Sequence, residues 1–377
     1  MADLVDIPQE DEITRQQRLR AGAAPSKQRR DRIKIVVAVV IPVALAAVLV
    51  TLLGGRGGGG PKTVGSTTTT ALSAEARAWQ TRLDDAFKPL ADDLKDLLSA
   101  AADWAAGKKP TVTFTADLDR LLPRFVDVRD KVAAVPPLKK VPAARDDYAA
   151  CASLYVEVAR VYRAAVEPGA EPLKVQLDLL ARRLRTLADR VYDRGRVAVD
   201  PSAANPGQTP DVELRLPAEV PDWAAEGLAA GPPLETGPAP PGSFPSRQDK
   251  RPEEPVSAWT KRVQSLKVPP PTELAAAIEA GDGARLGALA RRYAEATAAL
   301  RAAPDPAGGR ERGAVAGLDL LVYGEAARAA QAATFVHGDP AGRLAAIAKR
   351  VTLVGDALRD PVFGKEKSGF DEKLLHA

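Results

Sequence analysis

The sequence predicts an all-α fold: a single N-terminal transmembrane helix followed by two related extracytoplasmic antiparallel helical bundles. Three observations carry that expectation. Ile33–Leu53 is an apolar run whose one charge, Lys34, sits at its edge. From Leu72 onward apolar residues recur at alternating spacings of three and four, the mark of amphipathic helices that pack along a seam. The pattern stops in a proline-rich stretch after residue 199 and then resumes, with short motifs returning in the same order.

The apolar run comes first. A helix of about 20 residues rises roughly 30 Å, enough to cross the hydrocarbon core of a bilayer. Pro42 kinks such a helix without preventing insertion. Arg15, Arg18, Arg20, Lys27, Arg29, Arg30, Arg32 and Lys34 precede or open the run, whereas only Arg56 and Lys62 follow closely. Basic flanks stay cytoplasmic, so the N-terminus is expected inside and the bulk of the chain outside. A cleaved signal peptide fits less well. The run is longer than a usual h-region, and the small-x-small triplet Ala44-Leu45-Ala46 lies in its middle. No cysteine follows closely to accept a lipid. The expectation is therefore a signal anchor that makes a single-pass cell-membrane protein, with the lipid bilayer as partner of residues 33–53.

Residues 1–32 mix acids, bases and glutamine with few apolar side chains and read as a disordered cytoplasmic tail. Residues 54–71, largely Gly and Thr, read as a stalk. Their glycines do not make a phosphate-binding loop, because the GxxxxGK[ST] pattern and its flanking strand and helix are missing.

Residues 72–199 are expected to form the first bundle. Ser73 caps a helix running toward Ala106, with a kink or break before Pro89. Thr115 caps a second, striped by Leu118, Leu121, Phe125, Val128, Val132 and Val135. A third covers about Ala143 to Glu167 and carries Tyr148, Cys151, Tyr155, Val158 and Tyr162 on one face. Pro172 opens the fourth, whose seam is Leu173, Leu177, Leu180, Leu184, Leu187 and Val191.

Residues 200–255 are a proline-rich linker. Within it Val212–Leu216 alternates like a strand, and Pro221–Ala230 suits a short helix. Residues 256–363 are expected to form a second bundle that repeats the first. Ala78-Trp-Gln-Thr-Arg-Leu83 resembles Ala258-Trp-Thr-Lys-Arg-Val263, and Tyr155-Val-Glu-Val-Ala-Arg160 resembles Tyr323-Gly-Glu-Ala-Ala-Arg328. Glu171-Pro172 corresponds to Asp339-Pro340, and Ala181-Arg-Arg-Leu184 with Asp189 to Ala348-Lys-Arg-Val351 with Asp356. The first helix of this unit is shortened. Thr272 caps a short helix, followed by helices at about 284–303, 310–336 and 340–358, the last seamed by Leu344, Ile347, Val351, Val354 and Leu358. Residues 364–377 read as a frayed C-terminal tail.

Composition limits the chemistry. Outside residues 1–34 the chain holds 45 Lys/Arg against 43 Asp/Glu, so the net charge of +4 is partly local and nucleic acid is not an expected partner. One cysteine excludes an intrachain disulfide. Heavy Ala and Arg use suits a high-GC bacterium. Of the two histidines, His376 adjoins the C-terminus and His337 ends a helix, where a cation complements the dipole. Cys151 lies on an apolar stripe and reads as a buried structural thiol. Asp84-Asp85, Asp92-Asp93 and Asp146-Asp147 point about 100° apart on a helix and read as solvated faces. Glu157 with Arg160, and Glu325 with Arg328, share a face by their spacing. They read as intrahelical ion pairs, or as pairs buried between helices that fix register in both bundles. Trp79 and Trp259 pack at the start of each unit.

No catalytic, cofactor-binding or metal-ligating residue is nominated, and no cofactor is expected. The functional expectation is a non-enzymatic, membrane-anchored interaction or scaffold protein of a bacterial cell envelope with an envelope protein as partner. Two tethered bundles would grip that partner at raised effective concentration. The alternative is an extracytoplasmic small-molecule-binding sensor or accessory subunit acting through a partner protein. The seams are equally able to pair with each other or across chains, so self-association fits the same pattern.

Overall fold

The computed structural model describes residues 73–199, 252–307 and 317–376, all within the compact unit that begins at Thr69. The tail, the apolar run, the stalk and most of the linker, with the strand and short helix expected there, lie outside the described residues. Among the described residues no helix is long and apolar enough to cross a membrane.

Helices dominate, in the order α1 Ala74–Ala105, α2 Thr111–Ala134, α3 Pro142–Ala165, α4 Lys174–Val199, α5 Val256–Ser265, α6 Pro271–Ala280, α7 Gly283–Ala302, α8 Leu318–Ala333 and α9 Asp339–Leu358. Two short strands, β1 Glu253–Glu254 and β2 Asp305–Pro306, pair in parallel. Ser73 caps α1 as its sequence implies, its Oγ accepting from the Ala76 amide at 3.1 Å. Pro89 lies inside α1 and does not break it. Pro89 and Asp85, the residue whose carbonyl it frees, are both exposed, so the lost hydrogen bond faces solvent rather than the core. α2 begins one turn before the expected cap. Pro110 stands at its N-cap, Trp104 stacks on Phe114 in its first turn at 5.1 Å, and Thr115 donates back to the Thr111 carbonyl. α6 likewise starts at Pro271 rather than after Thr272, because the N-cap is Pro270. Gly281 ends α6 with φ +61°, and Asp282 then caps α7 by accepting from the Arg285 amide at 3.0 Å.

Cross-helix bonds give the directions. Tyr155 reaches Asp189 and Tyr162 reaches Asp178, so α3 and α4 are antiparallel. Glu157 pairs with Arg350 and Glu167 with Arg343, so α3 and α9 are also antiparallel. α4 meets α8 through Arg183 and Glu325. The last two helices of each half thus form one central ring, α3–α4–α8–α9. α1 and α2 cover one side of it; α6 and α7 cover the other. One hydrophobic core runs through both halves, from Trp79 and Leu83 to Val354 and Leu358. Trp259, Val263, Leu300 and Val362 form a small satellite cluster. The segments expected as two bundles therefore pack as a single body.

The central helices pay for this position with an unusual surface. Every residue from Cys151 to Ala159 of α3 and from Leu318 to Ala332 of α8 is buried. A helix buried on every side, with too few polar side chains to make a solvent face, is a helix surrounded. The C-terminal segment also differs from the frayed tail expected of it. The Ser368 amide donates to the Asp356 carboxylate, Arg129 donates to the Leu375 carbonyl, and Phe370 and Leu375 pack on the core. Two 3-10 turns, Pro361–Phe363 and Glu372–His376, shape it. Buried polar groups at Arg129 and Asp356 supply what the apolar periodicity of the tail does not.

Candidate functional site

Two Glu–Arg clusters lie on the boundary between the halves of the body. Glu157 of α3 receives Arg160 one turn on at 2.7 Å and Arg350 of α9 at 2.8 Å. Glu325 of α8 receives Arg328 one turn on at 3.0 Å and Arg183 of α4 at 2.6 Å. Each glutamate therefore keeps the intrahelical partner that its spacing implies and takes a second arginine from the opposite half. The exchange is reciprocal. Glu157 and Glu325, Arg160 and Arg328, and Arg183 and Arg350 are separated by about 168 residues along the chain, so the same Glu–Arg contact is made twice across the boundary, as in an isologous interface.

Neighbouring groups follow the same rule. Tyr155 donates to Asp189 and Tyr323 donates to Asp356. The seams of α4 and α9 superpose in sequence at one spacing: Leu177 with Leu344, Leu180 with Ile347, Leu184 with Val351, Leu187 with Val354, and Val191 with Leu358, all of them buried. One difference is instructive. Gly355 stands where the first half has Ala188, and a Cβ there would lie 2.6 Å from Cε1 of Tyr323.

Electrostatics sort the two clusters. Burial would raise Glu325, but the Arg183 and Arg328 guanidiniums outweigh it and hold its carboxyl below the ordinary value. Burial pulls Arg328 down to about 10. The side chains of Glu325, Arg183 and Arg328 are 1%, 3% and 5% exposed, while Arg160 and Arg350 are 13% and 11% exposed. The first cluster opens toward water; the second is sealed.

At one end of the body the boundary reaches the surface as a recess of about 570 Å³. Thr115, Arg163, Glu167, His337, Asp339 and Arg343 are among the side chains that line it. Glu167 is nearly buried and holds Arg163 at 3.2 Å and Arg343 at 2.5 Å, again one arginine from each half. α1 runs from Ser73 to this end. Trp104, near its C-terminus, donates to Thr111, and Lys174 donates to the Trp104 carbonyl. Thirty-two residues of helix place the recess roughly 48 Å along the body from Ser73.

The residues singled out in the sequence fall as follows. His337 is exposed on the recess rim between α8 and α9. His376 is exposed, with Nδ1 3.9 Å from Asp130. Cys151 is fully buried in α3, and burial pushes its thiol pKa well up, away from the nucleophilic thiolate. The acidic pairs do not form uniformly solvated faces. Asp93 and Asp147 turn inward onto Arg124 and Arg194, while Asp92 and Asp146 stay outside. Neighbours 100° apart straddle the edge of a buried face, and an arginine on the next helix draws the inner one in. Trp79 donates to the Pro136 carbonyl at 2.7 Å and meets Tyr148 edge-on. Among the described residues no group of three or more His, Cys, Asp or Glu is placed to hold a metal ion.

The arginines contributed by the opposite half, Arg183 and Arg350, were not singled out as site residues. Their signal was present in the paired motifs Ala181-Arg-Arg-Leu184 and Ala348-Lys-Arg-Val351. Comparison with family models, characterised proteins and solved structures matches none of them to this chain.

Proposed function

We propose that this chain is a non-enzymatic interaction or scaffold protein of a bacterial cell envelope. In this reading residues 33–53 cross the membrane with the N-terminus cytoplasmic, residues 54–71 form a stalk, and the helical body stands outside. The body comprises two related units, 72–199 and 256–363, joined by the 200–255 linker and derived by duplication. The matched seams and the reciprocal Glu–Arg pairs support that descent. Because the two units share a core, the partner is met by one rigid body rather than by two bundles on independent tethers. The observation that carries the reading is the recess at the end remote from Ser73, where both halves contribute charged side chains.

The test is site-specific photo-crosslinking of tagged full-length protein in the native cell. Probes at Arg343 and at the exposed Val112, both at the recess end, are compared with a probe at the exposed Val256 of α5. Capture of one envelope protein from the recess end alone is expected. Equal capture from both ends, or none, refutes the placement.

The volume of the recess favours one second reading. About 570 Å³ lies within the 300–1,000 Å³ typical of small-molecule sites. An extracytoplasmic small-molecule-binding sensor or accessory subunit would use that space and pass its signal through a partner protein. Native mass spectrometry of the purified protein should then show a bound small molecule that is lost on Arg343→Ala.

A further inference from the structure

We infer that the sealed Glu325–Arg183–Arg328 cluster holds a small monovalent anion against the Nε and Nη2 atoms of Arg328. The starting point is a charge count inside the ring of helices. Two guanidiniums face one carboxylate, and the three side chains are 95% buried or more. All the pairing converges on one oxygen: Glu325 Oε1 receives Arg183 Nε at 2.8 Å and Arg328 Nη1 at 3.0 Å. Nε and Nη2 of Arg328 are buried without a hydrogen-bond acceptor among the described residues, and the second carboxylate oxygen, Glu325 Oε2, is buried without a donor and out of their reach. The charges that act on Arg328 are Glu325, which favours its cation, and Arg183, which opposes it.

A buried charge left uncompensated costs several kcal/mol, and buried donors in native proteins are satisfied by protein, water or ions. A guanidinium cannot escape by losing its proton at neutral pH. One negative charge is missing, so the guest is a monoanion. A single compact monoanion such as a halide, nitrate or formate would satisfy both donors. The sister cluster shows why only one such site is needed. Arg160 and Arg350 are two to four times more exposed than Arg183 and Arg328, so water screens the same excess of arginine around Glu157.

The probe is bromide, with chloride as its competitor. Thermal unfolding of the purified full-length chain is followed at fixed ionic strength while gluconate is exchanged for bromide or chloride. A ligand that binds only the folded state raises stability with the logarithm of its concentration once past its dissociation constant. The expected result is a Tm that rises by several degrees with millimolar halide in the native protein and is indifferent to it in Arg328→Gln. Crystals grown in bromide should show an anomalous peak within hydrogen-bonding distance of Arg328 Nε or Nη2, which tests the site even if the variant does not fold. Halide-independent unfolding of the native protein, or a bromide-free density peak of water at Arg328, would overturn the assignment.

Discussion

Removing the carboxylate of Glu325 is the sharpest test of how the halves are joined. In Glu325→Gln two guanidiniums remain, 3% and 5% exposed, with no acid between them. Breaking a buried pair by removing one partner costs about 3–5 kcal/mol, because the remaining charge is stranded in a poorly polarisable interior. For a body of this size each kcal/mol moves Tm by about 2–4 °C, so the expected fall is roughly 6–20 °C. The triple replacement Glu325→Leu, Arg183→Met, Arg328→Met removes every stranded charge at similar volume and should recover most of that loss. The exposed pair Lys131–Asp127 is the control, with both side chains more than half exposed and a change on breaking of about 0–1 kcal/mol. Urea unfolding of the native protein, the single, the triple and the control settles the comparison. A Glu325→Gln cost no larger than that of the control would sink the argument, since it would mean that water reaches the cluster.

Three further outcomes follow from the packing. Gly355→Ala drives a methyl to 2.6 Å from a Tyr323 ring that is pinned by its bond to Asp356 and stacked on Tyr293, and should cost about 1–3 kcal/mol in urea unfolding. Burial raises Asp319 to about 7, so the folded state holds its proton more firmly than the unfolded chain. That contribution is full below the ordinary value of 3.8 and is lost as pH climbs toward 7; relative to Asp319→Asn, the native protein should lose stability across this window and no further above it. Truncation after Gly364 removes the bonds that Asp356 receives from Ser368 and that Arg129 gives to Leu375. Hydrogen exchange should then accelerate at the C-terminal ends of α9 and α2, and an unchanged exchange map would show that the segment is not a clasp.

Much of the fold was legible because periodicity reports burial directly. The seams of α4 and α9 are written in leucine, isoleucine and valine at three- and four-residue steps, and both helices lie where those steps put them. What periodicity cannot report is a partner far along the chain. Glu157 and Arg160 are three residues apart, and that spacing explains the glutamate by itself. The arginine that completes its pairing is 193 residues away. A signal for the shared core was nevertheless present: from Leu318 to Ala332 only Asp319, Glu325, Arg328 and Gln331 are strongly polar, too few to clothe a solvent face. The recess was not legible at all. It depends on the α3–α4 and α8–α9 connections meeting at one end, and no local pattern encodes that meeting.

The reciprocal boundary also sets a timetable for biogenesis. Arg183 leaves the ribosome 142 residues ahead of Glu325. At about 5–20 residues per second that interval lasts roughly 7–30 s. Helices form within microseconds, so α3 and α4 are complete while the surface meant for α8 and α9 is still bare. A chain in that condition presents both a greasy stripe and a stranded arginine, and two such chains emerging side by side are complementary to each other. The second half of the same chain therefore competes with a stranger's first half for that bare surface, and its tethering within one chain is what favours the correct match.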